Sequence, residues 1–303
     1  MPDYGHELMF GTFLRARAND VPRFLRLVDL TEETGLDAVT VPDHPYHVVP
    51  GLPDEGPQLD TLTALAMIAH RTSRVRLVPN VVNLPLRPPV MLARATATID
   101  VLSGGRFELA LGAGAMWDQI TREGGPRRTP AESVAAMEES IRVIRLLWTS
   151  GASVSSDGPL FRLDKVYPGP SPAHRMGIWL GVYRPRMLRL VGSLADGWVS
   201  SQLGFPPHQF NSANAIIDEA ATLEGRDPRA VRRVYNILGD FQGTGGGFLQ
   251  GPPKVWVEQL TELTLTEGVS GYNLFLTEDP DTIRQFAAEV APAVRDAVAA
   301  GRA

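Results

Sequence analysis

Cysteine is absent from all 303 residues, which removes disulfides, zinc–thiolate sites, iron–sulfur clusters and thiol nucleophiles from consideration. Nowhere does an apolar run approach the ~18 uninterrupted residues of a membrane span. The opening MPDYGHELMF has no basic segment leading into a long apolar one, so no secretory leader is expected. Clusters of Lys and Arg are missing too, and the formal charge is −5, which argues against nucleic acid as a partner. These absences predict a soluble, cytoplasmic protein. What is present is ordinary for a folded chain: 44% hydrophobic and 21% charged residues. The length fits two domains or one large α/β barrel, and such a chain buries a core without staples.

Apolar runs rich in β-branched or aromatic residues and ended by Gly, Pro, Asn or Asp predict buried parallel strands. They fall near residues 8–13, 37–41, 75–79, 106–112, 177–181, 197–201, 234–239 and 271–276. Helical spacing lies between them. Val134, Met137, Ile141, Ile144 and Trp148 share one face of a helix over 130–148. Thr129-Pro130-Ala131-Glu132 opens it as a capping box with proline at the first position. Asp279-Pro280 opens a last helix striped by Ile283, Phe286, Val290 and Val294, and Gly104 is placed to end a helix over 89–103 in a left-handed cap. Eight alternations of strand and helix predict a (β/α)8 TIM barrel. Residues 150–176 read as an insertion after the fourth helix, a small hairpin and a proline-rich return. No linker or solenoid repeat divides residues 1–303, so a single domain is expected. Gly245-Gly246-Gly247 reads as a mobile loop.

The active site of such a barrel lies at the carboxyl ends of the strands, and unusual residues gather there. Asp43-His44 follow the second strand in AVTVPDHPYHVV (38–49), and Asn80-Val81-Val82-Asn83 follow the third. Gly112-Ala113-Gly114 follow the fourth, Gly181-Val182-Tyr183-Arg184-Pro185 the fifth, and Ser200-Ser201 end the sixth. A metal reading of His44 and His47 fails for want of a third ligand. The other histidines, His6, His70, His174 and His208, read as helix or loop surface. A Rossmann reading of GAGAMW lacks the third glycine; the glycine pair instead lets a flat ligand approach the backbone.

Four ordered blocks carry a resemblance. PVMLARATATIDVLSGGRFELALGAGAMWDQ (89–119), ALAMIAHRTSRVRLVPNVV (64–82), IWLGVYRPRMLRLVGSLADGW (178–198) and GLDAVTVPDH (35–44) resemble the luciferase-like oxidoreductase family over about residues 8–200. The resemblance implies a (β/α)8 barrel binding FMN or the deazaflavin coenzyme F420. It implies a cofactor site formed by Asp43, His44, Asn80, Val81, Gly112, Ala113, Gly114, Gly181, Val182, Tyr183, Arg184 and Pro185. The family often carries a non-proline cis peptide after the third strand, here Asn80–Val81. Asp-His after the second strand is typical of its deazaflavin-using branch, which implies hydride transfer between F420 and a small organic substrate. His44 would then relay a proton and Asp43 orient or charge-balance it.

Two departures bear on substrate and cofactor. The family's sugar-phosphate dehydrogenases place a glutamate where this chain has Ala115, so sugar-phosphate oxidation is not expected. Around the cofactor phosphate, Gly-Val-Tyr-Arg-Pro replaces consecutive glycines, leaving Arg184, with Arg186 and Lys254, as the nameable cations. The rival readings are an FMN-dependent monooxygenase fed by a separate flavin reductase, and a cofactor carrier without turnover. A homo-oligomer is expected from the family habit. Substrate choice is assigned to the loops 45–58, 115–128 and 203–210.

Overall fold

A strand covered on one side by helices and on the other by the barrel interior has no face on which polar residues are free. Ala38–Val41 and Leu109–Gly112 show the result, being buried at every position. The computed structural model describes residues 3–44 and 56–303; His47 and most of the 45–58 loop fall outside them. In chain order the strands are β1 (Met9–Phe13), β2 (Ala38–Val41), β3 (Arg76–Pro79), β4 (Val82–Asn83) and β5 (Leu109–Gly112). They continue with β6 (Val154–Asp157), β7 (Arg162–Val166), β8 (Ile178–Gly181), β9 (Gly197–Ser201), β10 (Arg232–Ile237) and β11 (Val269–Leu274).

All but β6 and β7 form one parallel sheet in the order β3-β2-β1-β11-β10-β9-β8-β5-β4. The sheet curls until its ends meet: Leu77 of β3 bridges Phe107 just before β5, and β4 pairs Val82 with Leu111 and Asn83 with Gly112. Closing a sheet removes its edges. The eight predicted strands are therefore the staves of a (β/α)8 barrel, and the two-residue β4 continues the third stave beyond a bulge. β1 meets β11 through Met9–Gly271 to Thr12–Leu274.

Period-two alternation sorts each strand's side chains. One set, including Phe10, Val39, Leu77, Leu180, Trp198, Tyr235 and Tyr272, packs outward in the main hydrophobic core. The other, Met9, Ala38, Val78, Ala110, Trp179, Val199 and Val234, forms a separate interior cluster with Val81 against it.

The helices are α1 (Val21–Glu33), α2 (Thr61–Arg71), α3 (Pro89–Ser103), α4 (Trp117–Arg122) and α5 (Pro130–Thr149). They are followed by α6 (Pro185–Leu194), α7 (Phe210–Leu223), α8 (Pro253–Glu267), α9 (Pro280–Gln285) and α10 (Ala291–Arg302). The capping box at Thr129 and Glu132 is present in both directions, and Gly104 ends α3 at φ 70°. The stripe Ile283, Phe286, Val290, Val294 is fully buried, although a π-helical turn over Phe286–Val290 separates α9 from α10. β6 and β7 make an antiparallel hairpin outside the barrel, beyond α5. The Gly245-Gly247 segment is closed at its base, where Asp240 N–H donates to Leu249 O at 2.9 Å and Gly251 N–H to Asp240 O at 3.0 Å. No helix among the described residues is long and apolar enough to cross a membrane.

Several strand boundaries shift; the eighth stave runs Val269–Leu274 rather than 271–276, and at two of the shifted starts an arginine is involved. The fourth stave begins at Leu109 rather than Arg106, because Arg106 turns away to donate to Ala69 O, Thr72 O and Val75 O, each at 2.8 Å. The seventh begins at Arg232 rather than Val234. Arg233 is fully buried, bonded to Asp218 at 2.6 Å and stacked over the Tyr4 ring at 3.6 Å. Charges usually avoid such a position; here partners await them.

Candidate active site

The carboxyl ends of the strands enclose a cavity of about 440 Å³. It is built around the bulge between β3 and β4, where the Asn80–Val81 peptide is cis, as the resemblance implies. Val81 projects between two glycines. A Cβ on Gly112 would lie 2.7 Å from Val81 Cγ2, and one on Gly181 would lie 2.8 Å from Val81 Cγ1. Neither position tolerates a side chain while Val81 stays in place, which is the physical content of both glycines. Gly114 has φ +106°, and its Cβ would strike Trp117 and Pro85 at 2.8 and 2.9 Å.

Beneath the bulge an amide chain crosses the barrel. Asn80 Nδ2 donates to Asn236 Oδ1 at 2.8 Å, and Asn236 Nδ2 returns a bond to Asn80 Oδ1 at 3.2 Å. Asn273 Nδ2 donates to the same Asn236 oxygen at 3.1 Å, and Asn80 Nδ2 also reaches Thr40 at 3.3 Å. Buried amides bonded to each other resist rearrangement, so the chain fixes Asn80 and the bulge above it, although Asn273 Oδ1 has no partner among the described residues. Asn83 Oδ1 and Ser201 Oγ, both from residues lining the cavity, are buried with no partner among the described residues. A buried polar atom left unmade costs about 1–3 kcal/mol, and a ligand is the natural means of recovering it.

Twelve residues were expected here, and the structure divides them. His44, Asn80, Val81, Gly112, Ala113, Gly114, Gly181 and Tyr183 line the cavity. Asp43, Val182, Arg184 and Pro185 are not among its lining residues. Asp43 is 4% exposed and its carboxylate is held from the far side. Arg87 donates to both oxygens at 2.7 and 2.6 Å, and Asn83 N–H donates at 2.9 Å. Arg87 also binds Asp60 at 2.6 Å, the residue that caps α2 through Thr63 N–H. Asp43 thus anchors the β2 rim to α2 and α3, one residue from His44.

Val182 turns into the core, and its carbonyl accepts the Trp198 indole N–H at 2.8 Å. Arg184 and Pro185 are taken up by the start of α6, the former as its N-cap without a side-chain bond. Lys254 stands in the first turn of α8, 3.9 Å from Glu258.

His44 is half-buried on the cavity wall. Burial lowers its imidazole below the usual range, against the opposing pull of the Asp43 and Glu123 charges. Near pH 7 it is therefore neutral and able to accept a proton. Across the mouth, Tyr183 stacks on Phe205 at 6.0 Å, and Phe13 meets Phe275 edge-on at 4.4 Å. Among the described lining residues there is no Lys, Arg, Asp or Glu.

Asn83 and Ser201, expected at the rim though not in the cofactor set, also line the cavity, and Asn236, Phe13 and Phe275 line it without having been expected there. A signal for Asn236 exists. Tyr235-Asn236 and Tyr272-Asn273 are adjacent doublets in register across β10 and β11. Tyrosine faces the helices and asparagine the interior, so a repeated Tyr-Asn in two strands marks a polar floor.

A barrel with a glycine-backed, largely apolar cavity at the carboxyl ends of its strands is the architecture of a cofactor-dependent enzyme. Residues 8–238 match the family described as Luciferase-like monooxygenase. The chain belongs to this enzyme family. It is 32% identical over 171 residues to an F420-dependent glucose-6-phosphate dehydrogenase of Nakamurella multipartita, covering 56% of this chain and 49% of that protein. It is 30% identical to a 5,10-methylenetetrahydromethanopterin reductase of Archaeoglobus fulgidus, over 68% and 57%. The chain spans about half the length of the curated relatives it matches. An F420-dependent secondary alcohol dehydrogenase, in complex with an F420–acetone adduct, superposes with TM-score 0.81 over 96% of this chain and 100% of that one, at 18% identity. A monooxygenase of Streptomyces bottropensis does so with 0.79 over 94% and 99%, at 22%. At those identities the likeness is one of fold.

Proposed function

We propose that this protein is an oxidoreductase that transfers a hydride between reduced coenzyme F420 and a small organic substrate. The observation that carries the reading is the wall formed by Val81, Gly112 and Gly181, with His44 on the same cavity. A flat ring fits against such a wall, since the two glycines let Val81 settle between them and no larger side chain stands out from it. Asn83 Oδ1 and Ser201 Oγ offer unused polar atoms to it. When bound, the deazaflavin supplies hydride chemistry. The chain's own residues do the rest. Val81 backs the ring, the asparagine chain holds Val81, and neutral His44 takes up or returns the proton that accompanies the hydride. The Arg87 clamp on Asp43 keeps the rim segment carrying His44 in place.

Support for F420 over FMN comes from the Asp43-His44 sequence and from relatives whose names specify F420. Ala115 lies on the cavity wall, which fits a substrate other than a sugar phosphate. The second reading, a monooxygenase using reduced FMN and oxygen, draws on the family description and on monooxygenases of the same fold. A homo-oligomer and a separate reductase supplying the cofactor complete the proposal, in the cytoplasm. Parallel fluorescence titrations with the two cofactors test it. F420 should bind at least ten-fold tighter, about 1.4 kcal/mol. Tighter FMN binding, with oxygen consumed on adding reduced FMN, overturns hydride transfer in favour of the monooxygenase.

A further inference from the structure

At the opposite end of the barrel, between the starts of the strands, lies a second cavity of about 610 Å³. Most charges around it are matched. Asp37 pairs with Arg295 at 2.6 Å, Glu108 with Arg76 at 2.9 Å, Asp196 with Arg145 at 2.7 Å and Asp227 with Arg229 at 2.8 Å. Two guanidinium groups are not. Arg232 donates to main-chain oxygens, Glu7 O at 2.8 Å and Ser270 O at 3.5 Å; the Glu108, Glu7 and Asp37 charges act on it from a distance, but it makes no close ion pair among the described residues. Arg175 is exposed at the rim and has no partner there at all. The one unmatched acid is the exposed Glu7.

The second observation is independent of these charges. Trp179 lines the same cavity, is only 5% exposed, and its indole N–H has no hydrogen-bond partner among the described residues. The ring lies against two bare α-carbons: a Cβ on Gly177 would come within 3.0 Å of Nε1, and one on Gly197 within 3.1 Å. An indole nitrogen donates and never accepts. Guanidinium groups likewise only donate, in a planar fork that matches the oxygens of phosphate or carboxylate. Trp179 and these two arginines line one cavity, beside Glu108 Oε2 on the Gly177 side, and an acceptor with several oxygens and negative charge would match all three donors.

We propose that this amino-terminal cavity binds a phosphate group, as the free ion or as a compact phosphomonoester, held by Trp179 Nε1, Arg175 and Arg232. The amino-terminal face of a barrel serves stability rather than chemistry. The bound phosphate therefore acts as a stabilising ligand, raising the melting temperature with its concentration.

Calorimetric titration of the full chain with inorganic phosphate, and separately with methyl phosphate, tests this without any cofactor. Saturable binding of one anion per chain is expected, with a rise in melting temperature that chloride at equal ionic strength does not give. Trp179→Phe keeps the packing and removes the N–H; Arg175→Ala alters only an exposed side chain. Each should weaken binding by about ten-fold, the ordinary worth of a hydrogen bond to a charged group. Tighter binding of methyl phosphate identifies an ester as the occupant, and tighter binding of phosphate the free ion. No saturation by about 10 mM of either probe, a range that still detects millimolar affinity, overturns the proposal. So does undiminished affinity in both variants.

Discussion

The two mouths of the barrel are made by the same eight strands and treat polar groups in opposite ways. At the carboxyl ends the described wall is largely glycine, amide, hydroxyl, aliphatic and aromatic, with His44 the one imidazole among its described residues. Asp43 and Arg87 neutralise each other behind it. At the amino ends arginines and carboxylates crowd the opening and are mostly paired. A mouth whose described lining carries no Lys, Arg, Asp or Glu suits a flat organic ring, whereas a mouth of paired charges holds strand starts in register. The chemistry is thus segregated by strand polarity.

Breaking the pair behind the carboxyl-end mouth should have the largest effect. Arg87→Ala leaves the buried Asp43 carboxylate uncompensated, and about 3–5 kcal/mol of stability should be lost. Urea unfolding measures this, and a wild-type midpoint would show that Asp43 needs no partner. Next comes His44→Ala, which should lower turnover by about 100-fold with the fold intact and cofactor affinity changed much less. Unchanged turnover would reduce His44 to a turn residue. Gly112→Ala should weaken cofactor binding by about ten-fold, because its methyl displaces Val81. Adding Val81→Ala should restore much of that loss, and failure of the double variant to recover would dissociate the glycine from Val81.

The effect at the amino-terminal mouth is confined to acid pH. Burial, helped by the nearby Arg232 charge, pushes the His6 imidazole down to about 4. The unfolded chain then binds a proton near pH 6.5 that the folded one refuses. Stability should therefore fall as pH drops from about 6.5 toward 4 and level off below that. His6→Asn should flatten this decline in denaturation midpoints measured against pH. A slope unchanged by the substitution would assign it to other groups, His44 among them.

Much of this arrangement was legible in the sequence, and the limits have physical causes. Strands such as Ala38–Val41 announce themselves because burial from both sides leaves only apolar text. Gly112, Gly181 and the Asn80–Val81 bulge can be assigned to the strand-end rim, where they line the cavity, because rim residues at strand ends have few other reasons to be glycine or asparagine. Sequence pattern excludes Arg232 and Arg233 from their strand, since a single sequence does not show that Asp218 and Tyr4 will meet the second of them. Asp43 was read with His44 because adjacency in sequence suggests a shared task. Its actual partner, Arg87, stands 44 positions away, and periodicity is blind to such a distance. Val182 and Arg184 illustrate the same limit at short range: successive residues after a strand point in different directions, so a contiguous motif supplies only some of its members to one cavity.

One seam of the barrel differs from the rest in kinetic character. Successive staves join across intervals of a few tens of residues, each holding its own helix. β1 and β11, however, bring Met9 beside Gly271 and Thr12 beside Leu274. The entropy of closing that loop grows only slowly with its length, but none of it is recovered until nearly the whole chain is organised. Contacts so remote in sequence slow folding more than they alter stability. The β1–β11 seam is thus the place where the ring, already curved by its other joints, has to find its own beginning.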